Sequence, residues 1–119
     1  MVAIQRDYQQ RGIRLVAVNS NDDTDYPEDS YENMVKRAEE KGFNFPYIRD
    51  PDQSLARALS AICTPEIFVF DKERRLVYHG RIDDNRDPTK ATTHDLRNVL
   101  DAITAGKKTL ISETRPFGC

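Results

Sequence analysis

The two cysteines, Cys63 and Cys119, are the residues of this sequence best suited to chemistry. A deprotonated thiol attacks disulfides and peroxides, and two thiols that meet can close a disulfide. They lie 56 positions apart, and two cysteines are too few for a disulfide scaffold or a metal site built from cysteines alone. Both are candidate redox thiols. The alternatives are an inert core residue for Cys63 and an unreactive terminal thiol for Cys119.

The acidic segment 19–30 raises the question of calcium binding. Counted from Asn21, Asp or Glu residues fall at positions 3, 5, 9 and 12 of an EF-hand loop. The sixth position, where that loop needs glycine, is Tyr26, and the seventh is Pro27. A buried strand is also predicted before the segment, where an EF-hand has a helix. The pattern therefore favours a solvated acidic loop, and a calcium-binding module is the weakest function hypothesis.

No other group of residues predicts a metal site or a cofactor. His79 and His94 stand apart from each other and from further ligands, so we expect both to be surface or partly buried polar residues. Asp83, Asp84 and Arg86 predict a charged loop rather than an acid–base pair. The sequence has neither a glycine-rich phosphate loop nor a serine nucleophile elbow.

The composition excludes several classes of function. The chain has 119 residues and a net charge of −2, so it lacks the basic balance of a nucleic-acid-binding protein. Its longest apolar stretches have about six residues, against about 20 needed to span a bilayer. No apolar signal core follows Met1, and a cytoplasmic location is expected. The length suits one modest core, so a single domain over residues 1–119 is predicted.

Hydrophobic periodicity and turn residues predict an alternation of helices and strands. The predicted elements are helix 1–11, strand Ile13–Val18, helix 29–42, strand Phe45–Ile48, helix 50–62, strands Glu66–Asp71 and Leu76–Ile82, and helix 92–106. The nearly continuous apolar run of the first strand is typical of a strand buried on both faces. The predicted helix caps and their partners are Asp29 with Glu32, Asp50 with Gln53, and Thr92 with Asp95. This order predicts an α/β fold with a mixed sheet.

Several short segments carry a resemblance to a known family when they are taken in order. They are Val18–Asp22, Tyr26–Ser30, Phe45–Tyr47, Cys63–Pro65, Tyr78–Gly80 with Asp83–Asp84, and Gly118–Cys119. Together they resemble thioredoxin-like proteins of the alkyl hydroperoxide reductase/thiol-specific antioxidant (redoxin) superfamily. The resemblance extends over essentially the whole chain.

The resemblance implies a thioredoxin-like fold, with a mixed sheet flanked by helices. It also implies that Pro65 opens a strand in the cis form and that Thr64 and Pro65 bind substrate. The family's chemistry depends on a Cys-x-x-Cys motif between its first strand and first helix, and this sequence has none. The match begins inside that helix, so an N-terminally truncated domain is expected. Its missing central strand would lie between the Ile13–Val18 strand and the Glu66–Asp71 strand.

Two function hypotheses follow from the resemblance. The first is a redox domain that acts in its full-length protein as a thiol–disulfide oxidoreductase or thiol peroxidase, on a protein disulfide or a peroxide. Cys63 and Cys119 would then be resolving or regulatory thiols, and no dithiol turnover is expected from this chain alone. The second is a non-catalytic interaction module, a homodimer in which a second copy completes the sheet. Neither hypothesis includes a nucleic acid, a membrane, a cofactor or a metal.

Overall fold

The computed structural model describes residues 1–21, 27–61, 65–85, 87, 89–107 and 112–114. In these residues the helices are α1 (Val2–Tyr8), α2 (Tyr31–Glu40), α3 (Ser54–Ala58) and α4 (Asp95–Thr104). The strands are β1 (Ala17–Asn19), β2 (Tyr47–Arg49), β3 (Ile67–Phe70), β4 (Leu76–Gly80) and β5 (Ser112–Glu113). The chain forms two compact units, Met1–Ala61 and Ile62–Cys119. The mixed α/β architecture agrees with the prediction, and no helix of the described residues is long and apolar enough to cross a membrane.

The first unit is built on a parallel pair of strands. β1 and β2 pair with Ala17 opposite Tyr47, and α2 forms the crossover between them. β1 is shorter than the predicted strand Ile13–Val18 because the buried side chain of Gln5 engages the preceding backbone. Gln5 Nε2 donates to the Ile13 carbonyl at 3.0 Å, and its Oε1 accepts from the Leu15 amide at 2.6 Å. Those backbone groups are therefore satisfied without a neighbouring strand.

The prediction that the first strand is buried on both faces is wrong. Val16 is 51% exposed, Val18 38% and Ile48 42%, and these three side chains alternate with less exposed neighbours along β1 and β2. Successive side chains of a strand point to opposite faces, so one face of this pair is apolar and exposed. One edge of β1 also has no strand partner among the described residues.

The N-cap of α2 lies one residue after the predicted one. Ser30, rather than Asp29, is the N-cap, and its hydroxyl accepts from the Asn33 amide at 3.3 Å. Asp29 instead accepts from Asn21 Nδ2 at 2.7 Å and from Arg37 Nη1 at 3.4 Å. The Asn21 hydrogen bond is the main cause that lowers the pKa of Asp29. Asp29 thus ties the acidic loop to α2, while positions 23 and 25 of that loop lie outside the described residues.

α3 likewise begins later than predicted, at Ser54 instead of directly after Asp50. The buried Asp50 carboxylate accepts hydrogen bonds from the Leu55 and Ala56 amides, at 3.1 and 3.0 Å, and so caps the helix from outside it. Gln53 does not reciprocate as predicted. It occupies the N-cap position with a left-handed φ of 59°, and its Nε2 donates to the Ser20 carbonyl.

The second unit is built on a three-stranded sheet in the order β3-β4-β5. β3 and β4 form the predicted antiparallel hairpin, closed by Asp71, which accepts from the Glu73 and Arg75 amides. The register shifts between Val69 and Phe70, where a bulge changes which residues of β4 face β3. Among the described residues of this unit, the buried ones are Val69, Val77, Tyr78, Gly80, Leu96 and Leu100.

β5 and the start of α4 differ from the prediction. No strand was predicted after helix 92–106, but β5 pairs in parallel with β4, with Ser112 opposite Tyr78. α4 begins at Asp95 rather than near Thr92. Thr92, the predicted N-cap, does not cap α4. Its amide and its hydroxyl both donate to Asp84.

Candidate functional site

Most of the sequence-predicted site residues lie outside the described part of the chain. Cys63, Thr64 and Cys119 all do. Pro65 is described; it is exposed and stands two residues before the start of β3. The cis form of its peptide bond and its role in substrate binding stay predictions.

The register of the three-stranded sheet brings three chain positions to one end of it. Ile67, at the start of β3, pairs with Gly80, at the end of β4. β5 runs parallel to β4, and the Thr114 amide that follows it donates to the His79 carbonyl at 3.0 Å. β3 therefore begins, just after Pro65, at the same end of the sheet at which β5 ends. In the sequence, Cys63 stands two residues before Pro65, and Cys119 stands five residues after Thr114.

A hydrogen-bonded cluster holds the end of β5 in place. Thr114 Oγ1 accepts from the Arg81 amide at 2.9 Å and lies 2.6 Å from the Tyr78 hydroxyl. That hydroxyl donates to the Arg81 carbonyl at 2.5 Å. Burial raises the pKa of Tyr78, so the phenol keeps its proton and remains a donor. Gly80 lies against Thr114 with a φ of +153°, a conformation that a side chain disfavours.

Arg81 connects this cluster to α4. Its Nε donates to Asp95 Oδ2 at 2.8 Å, and this bond is the main cause that raises the pKa of Arg81. Asp95 was predicted to partner Thr92 at the helix start, but it instead anchors the first turn of α4 to the end of β4.

A buried carboxylate and an imidazole form a pair on this sheet that sequence reasoning missed. Glu66 directly follows Pro65, and its side chain is 3% exposed. Its Oε1 hydrogen bonds with Nε2 of His79, whose side chain is 24% exposed. Phe68 pairs with His79 across the strands, and their rings stack with centroids 4.5 Å apart and planes 10° apart. The stacking and the hydrogen bond together fix the plane of the imidazole.

The other side of the same imidazole faces β5. His79 Nδ1 lies 3.9 Å from a carboxylate oxygen of Glu113, whose side chain is 72% exposed. Glu113 is the cross-strand neighbour of His79. The ring therefore stands between a buried carboxylate on one side and a solvated carboxylate on the other.

The loop between β4 and α4 contains a second histidine–carboxylate pair. His94 Nδ1 lies 2.7 Å from Asp83 Oδ1, and the His94 side chain is 46% exposed. Asp84, as noted, binds Thr92, and this hydrogen bond is the main cause that lowers its pKa to about 2. Asp83 and Asp84 belong to the charged loop predicted from the sequence, whose third member, Arg86, lies outside the described residues. In the described residues no set of three His, Cys, Asp or Glu side chains is arranged to hold a metal ion.

Comparisons with known proteins cover most of the chain. The family model described as Redoxin matches residues 1–100. The structure is similar to that of the hypothetical protein SMc02350 from Sinorhizobium meliloti 1021, with a TM-score of 0.90 and 40% sequence identity over 99% of this chain and 66% of that chain. It is also similar to an uncharacterized conserved protein from Geobacillus kaustophilus, with a TM-score of 0.84 and 42% identity over 97% of this chain and 61% of that chain. No curated protein matches. The chain spans less than two thirds of the length of either solved structure.

Proposed function

Because the chain belongs to the redoxin family, whose members are thioredoxin-like proteins with redox or peroxidase-type functions, we propose that it is the thiol-reactive part of a thiol–disulfide oxidoreductase or thiol peroxidase. Its thiols are Cys63 and Cys119, since the sequence holds no Cys-x-x-Cys. The substrate class is a disulfide or a peroxide, and a cytoplasmic location is part of the proposal. The third or more of the solved relatives' length that this chain does not cover leaves room for further thiols in the whole protein.

One observation carries this proposal: β3 begins and β5 ends at the same end of the sheet, shortly after Cys63 and shortly before Cys119 in the sequence. β3 and β5 flank β4, so they lie about 10 Å apart. Cys119 is five residues beyond Thr114, a length that extends up to about 17 Å. A disulfide needs Cα atoms within about 7 Å of each other. Chain length and strand spacing therefore permit the two thiols to meet.

The chemistry is thiol–disulfide exchange. It gives Cys63 the attacking role, whereas the family resemblance implied only resolving or regulatory thiols and no dithiol turnover by this chain alone. The Cys63 thiolate attacks one sulfur of a substrate disulfide, and the other sulfur leaves as a thiolate that takes up a proton. The thiolate of Cys119 then attacks the mixed disulfide at the Cys63 sulfur, which releases the second substrate thiol and takes up a second proton from solvent. Two cysteine thiols are oxidised and one disulfide is reduced to two thiols. With a peroxide, the first attack forms a sulfenic acid and the second attack releases water.

Mild oxidation of the reduced chain tests the proposal. We expect oxidised glutathione to convert the chain to a form two hydrogen atoms lighter, in which peptide mapping finds one Cys63–Cys119 disulfide. The Cys119→Ser variant should instead stop at a stable mixed disulfide with glutathione on Cys63. Intact mass spectrometry at low protein concentration separates these products from disulfide-linked dimers. Two independent mixed disulfides on the wild-type chain, with no internal bridge, would contradict the proposal.

A non-catalytic interaction module is a second candidate, favoured by the exposed apolar face of the first unit. Val16, Val18 and Ile48 are all more than a third exposed, and one edge of β1 has no strand partner among the described residues. Unpaired strand edges of this kind bind further strands. In this case a second copy of the chain would complete the sheet.

Sedimentation over a range of concentrations tests this second candidate. We expect a reversible monomer–dimer equilibrium, which Val18→Lys weakens because it places a charge on the exposed apolar face. Val35→Lys is the matched control, since Val35 on α2 is 40% exposed against 38% for Val18. A chain that remains monomeric at every concentration, or two variants with equal effects, would rule out this interface.

A further inference from the structure

Three aromatic rings of the first unit lie outside its buried core. Phe43, Phe45 and Tyr47 are only partly buried. Among the described residues of this unit, the buried apolar side chains are Ile4, Tyr8 and Met34. Aromatic side chains carry large apolar surfaces, and a cluster of them that is open to solvent is typical of a binding surface. The three rings therefore require an explanation other than core packing.

The end of α2 and the start of β2 hold the three rings together. The Phe43 amide donates to the Ala38 carbonyl at 2.9 Å, which ends the helix and directs the chain towards β2. The rings of Phe43 and Phe45 stack with their centroids 4.8 Å apart, and Tyr47 meets Phe43 edge to face at 5.3 Å. Arg37 Nη1 donates to the Tyr47 hydroxyl at 2.7 Å. These contacts fix the orientation of the cluster.

The cluster lines a groove of about 450 Å³, a size within the range of small-molecule sites. The first turn of α1 and Ala17 of β1 line it as well. Asn44 Nδ2 donates to the Val2 carbonyl at 3.2 Å and so ties α1 to the aromatic segment. Ala17 pairs with Tyr47, and successive side chains of a strand point to opposite faces. The groove therefore lies on the face of β1 opposite to the exposed Val18.

The charge of the groove is positive. Among the described residues that line it, Lys41 is the one with a charged side chain. This lysine is exposed at the C-terminal end of α2, and its ammonium forms no ion pair within the described part of the chain. Apolar walls with one convergent charged group are typical of sites that bind a small molecule in a fixed orientation. The complementary ligand is an anion with a flat apolar body.

We infer that this groove binds a small aromatic carboxylate, with its ring against Phe43 and Phe45 and its carboxylate against the Lys41 ammonium. The carboxylate supplies the ion-pair partner that Lys41 lacks. A flat ring adds a stacked or edge-to-face contact to the cluster, which an alkyl chain of equal area does not. The inference is independent of the proposed thiol chemistry, since it uses no cysteine.

Binding of 2-naphthoate to the full 119-residue chain tests the site. The chain has no tryptophan, so naphthalene fluorescence is measured without a tryptophan background. We expect saturable binding at one site. We expect 2-naphthamide, which has a similar shape without the charge, to bind about fourfold more weakly, because an exposed ion pair contributes about that factor. Equal affinities for the acid and the amide, or tighter binding of cationic 2-naphthylmethylammonium, would overturn the inference.

A pair of lysine variants assigns the charge to one residue. Lys41→Gln should weaken 2-naphthoate about fourfold and leave 2-naphthamide unchanged. Lys36→Gln is the matched control, because Lys36 is an exposed lysine of the same helix that does not line the groove. It should leave both affinities unchanged. An equal loss in the two variants would reduce the effect to net charge and overturn the site.

The contribution of the rings is tested separately. Phe45→Leu keeps an apolar side chain but removes a ring, so we expect the acid and the amide to weaken alike, by about fivefold. A measurement on the wild-type chain covers the case in which this variant does not fold. The ring current of bound 2-naphthoate should shift the NMR signals of the Ala3 and Ala17 methyl groups, and those of Val18, on the opposite face, much less. Unshifted alanine signals, or equal shifts at Val18, would overturn the inference.

Discussion

Replacing Gly80 with alanine is expected to destabilise the second unit by about 3 kcal/mol or more. Gly80 has a φ of +153°, where an L side chain is strained. A Cβ atom built there would lie 2.5 Å from the Thr114 carbonyl oxygen and 2.8 Å from its amide nitrogen. Because these are backbone atoms, no change of side-chain rotamer relieves the clash. β5 must move away from β4, which breaks the hydrogen bonds of Thr114 to His79 and Arg81.

Urea denaturation and hydrogen exchange measure this effect together. The free energy of unfolding reports the global loss, and the Thr114 amide reports whether β5 has detached. Gly42→Ala is the control: its φ is +61°, but nothing lies within 4 Å of the added Cβ atom. We expect about 1 kcal/mol there, from backbone strain alone. Equal effects at Gly80 and Gly42 would show that the contact with Thr114 does not limit stability.

The hairpin of the second unit was predictable because its signals are local. Apolar strands flank the charged turn at residues 72–75, and Asp71 has the short acceptor side chain that closes such turns. The structure places both strands within two residues of their predicted ends. The same holds for the glycines after the helices, since Gly12, Gly42 and Gly106 all have positive φ.

β5 was not predictable because its stability comes from distant residues. Two residues show no periodicity, and Thr114 is held by Tyr78 and Arg81, which lie 36 and 33 positions earlier. Helix starts were displaced for a related reason, since several residues near each start can act as caps. Ser30 rather than Asp29 caps α2, because the Asp29 carboxylate accepts hydrogen bonds from Asn21 and Arg37 instead.

The Glu66–His79 pair could not be predicted from the sequence because it depends on the bulge in the hairpin. Phe70 pairs with Leu76, and an undisturbed antiparallel register would then place Phe68 opposite Tyr78. The shift between Val69 and Phe70 places His79 there instead. A shift of one residue exchanges the two faces of a strand, so it decides which side chain faces Glu66. The residue types were visible in the sequence, but their juxtaposition depends on this irregularity.

Replacing Asp50 with asparagine is expected to lower the melting temperature by roughly 10 °C. The two carboxylate oxygens accept from the Ser20 and Ser54 hydroxyls, at 2.8 and 3.2 Å, in addition to the two amides of α3. Asparagine has one acceptor oxygen, so its amide group would face donors. Thermal unfolding measures the loss. Asp52→Asn is the control. The exposed Asp52 carboxylate accepts from the Ser54 amide but from no second donor among the described residues, so we expect a change in melting temperature of no more than about 2 °C.

The same carboxylate predicts how stability depends on pH. Burial alone would raise the pKa of Asp50, but the hydrogen bonds from Ala56, Leu55 and the two serines outweigh it and lower the pKa from 3.8 to about 2. A folded-state pKa below the unfolded one means that this stabilisation is complete above the unfolded value and is lost as pH falls towards the folded value. The melting temperature of the wild-type chain should therefore fall between about pH 5 and pH 2, and less steeply in Asp50→Asn. Some pH dependence should remain in Asp50→Asn, because other carboxylates such as Asp84 also have a pKa of about 2. If the melting temperatures of the two chains fell with pH at the same rate, this role for Asp50 would be contradicted.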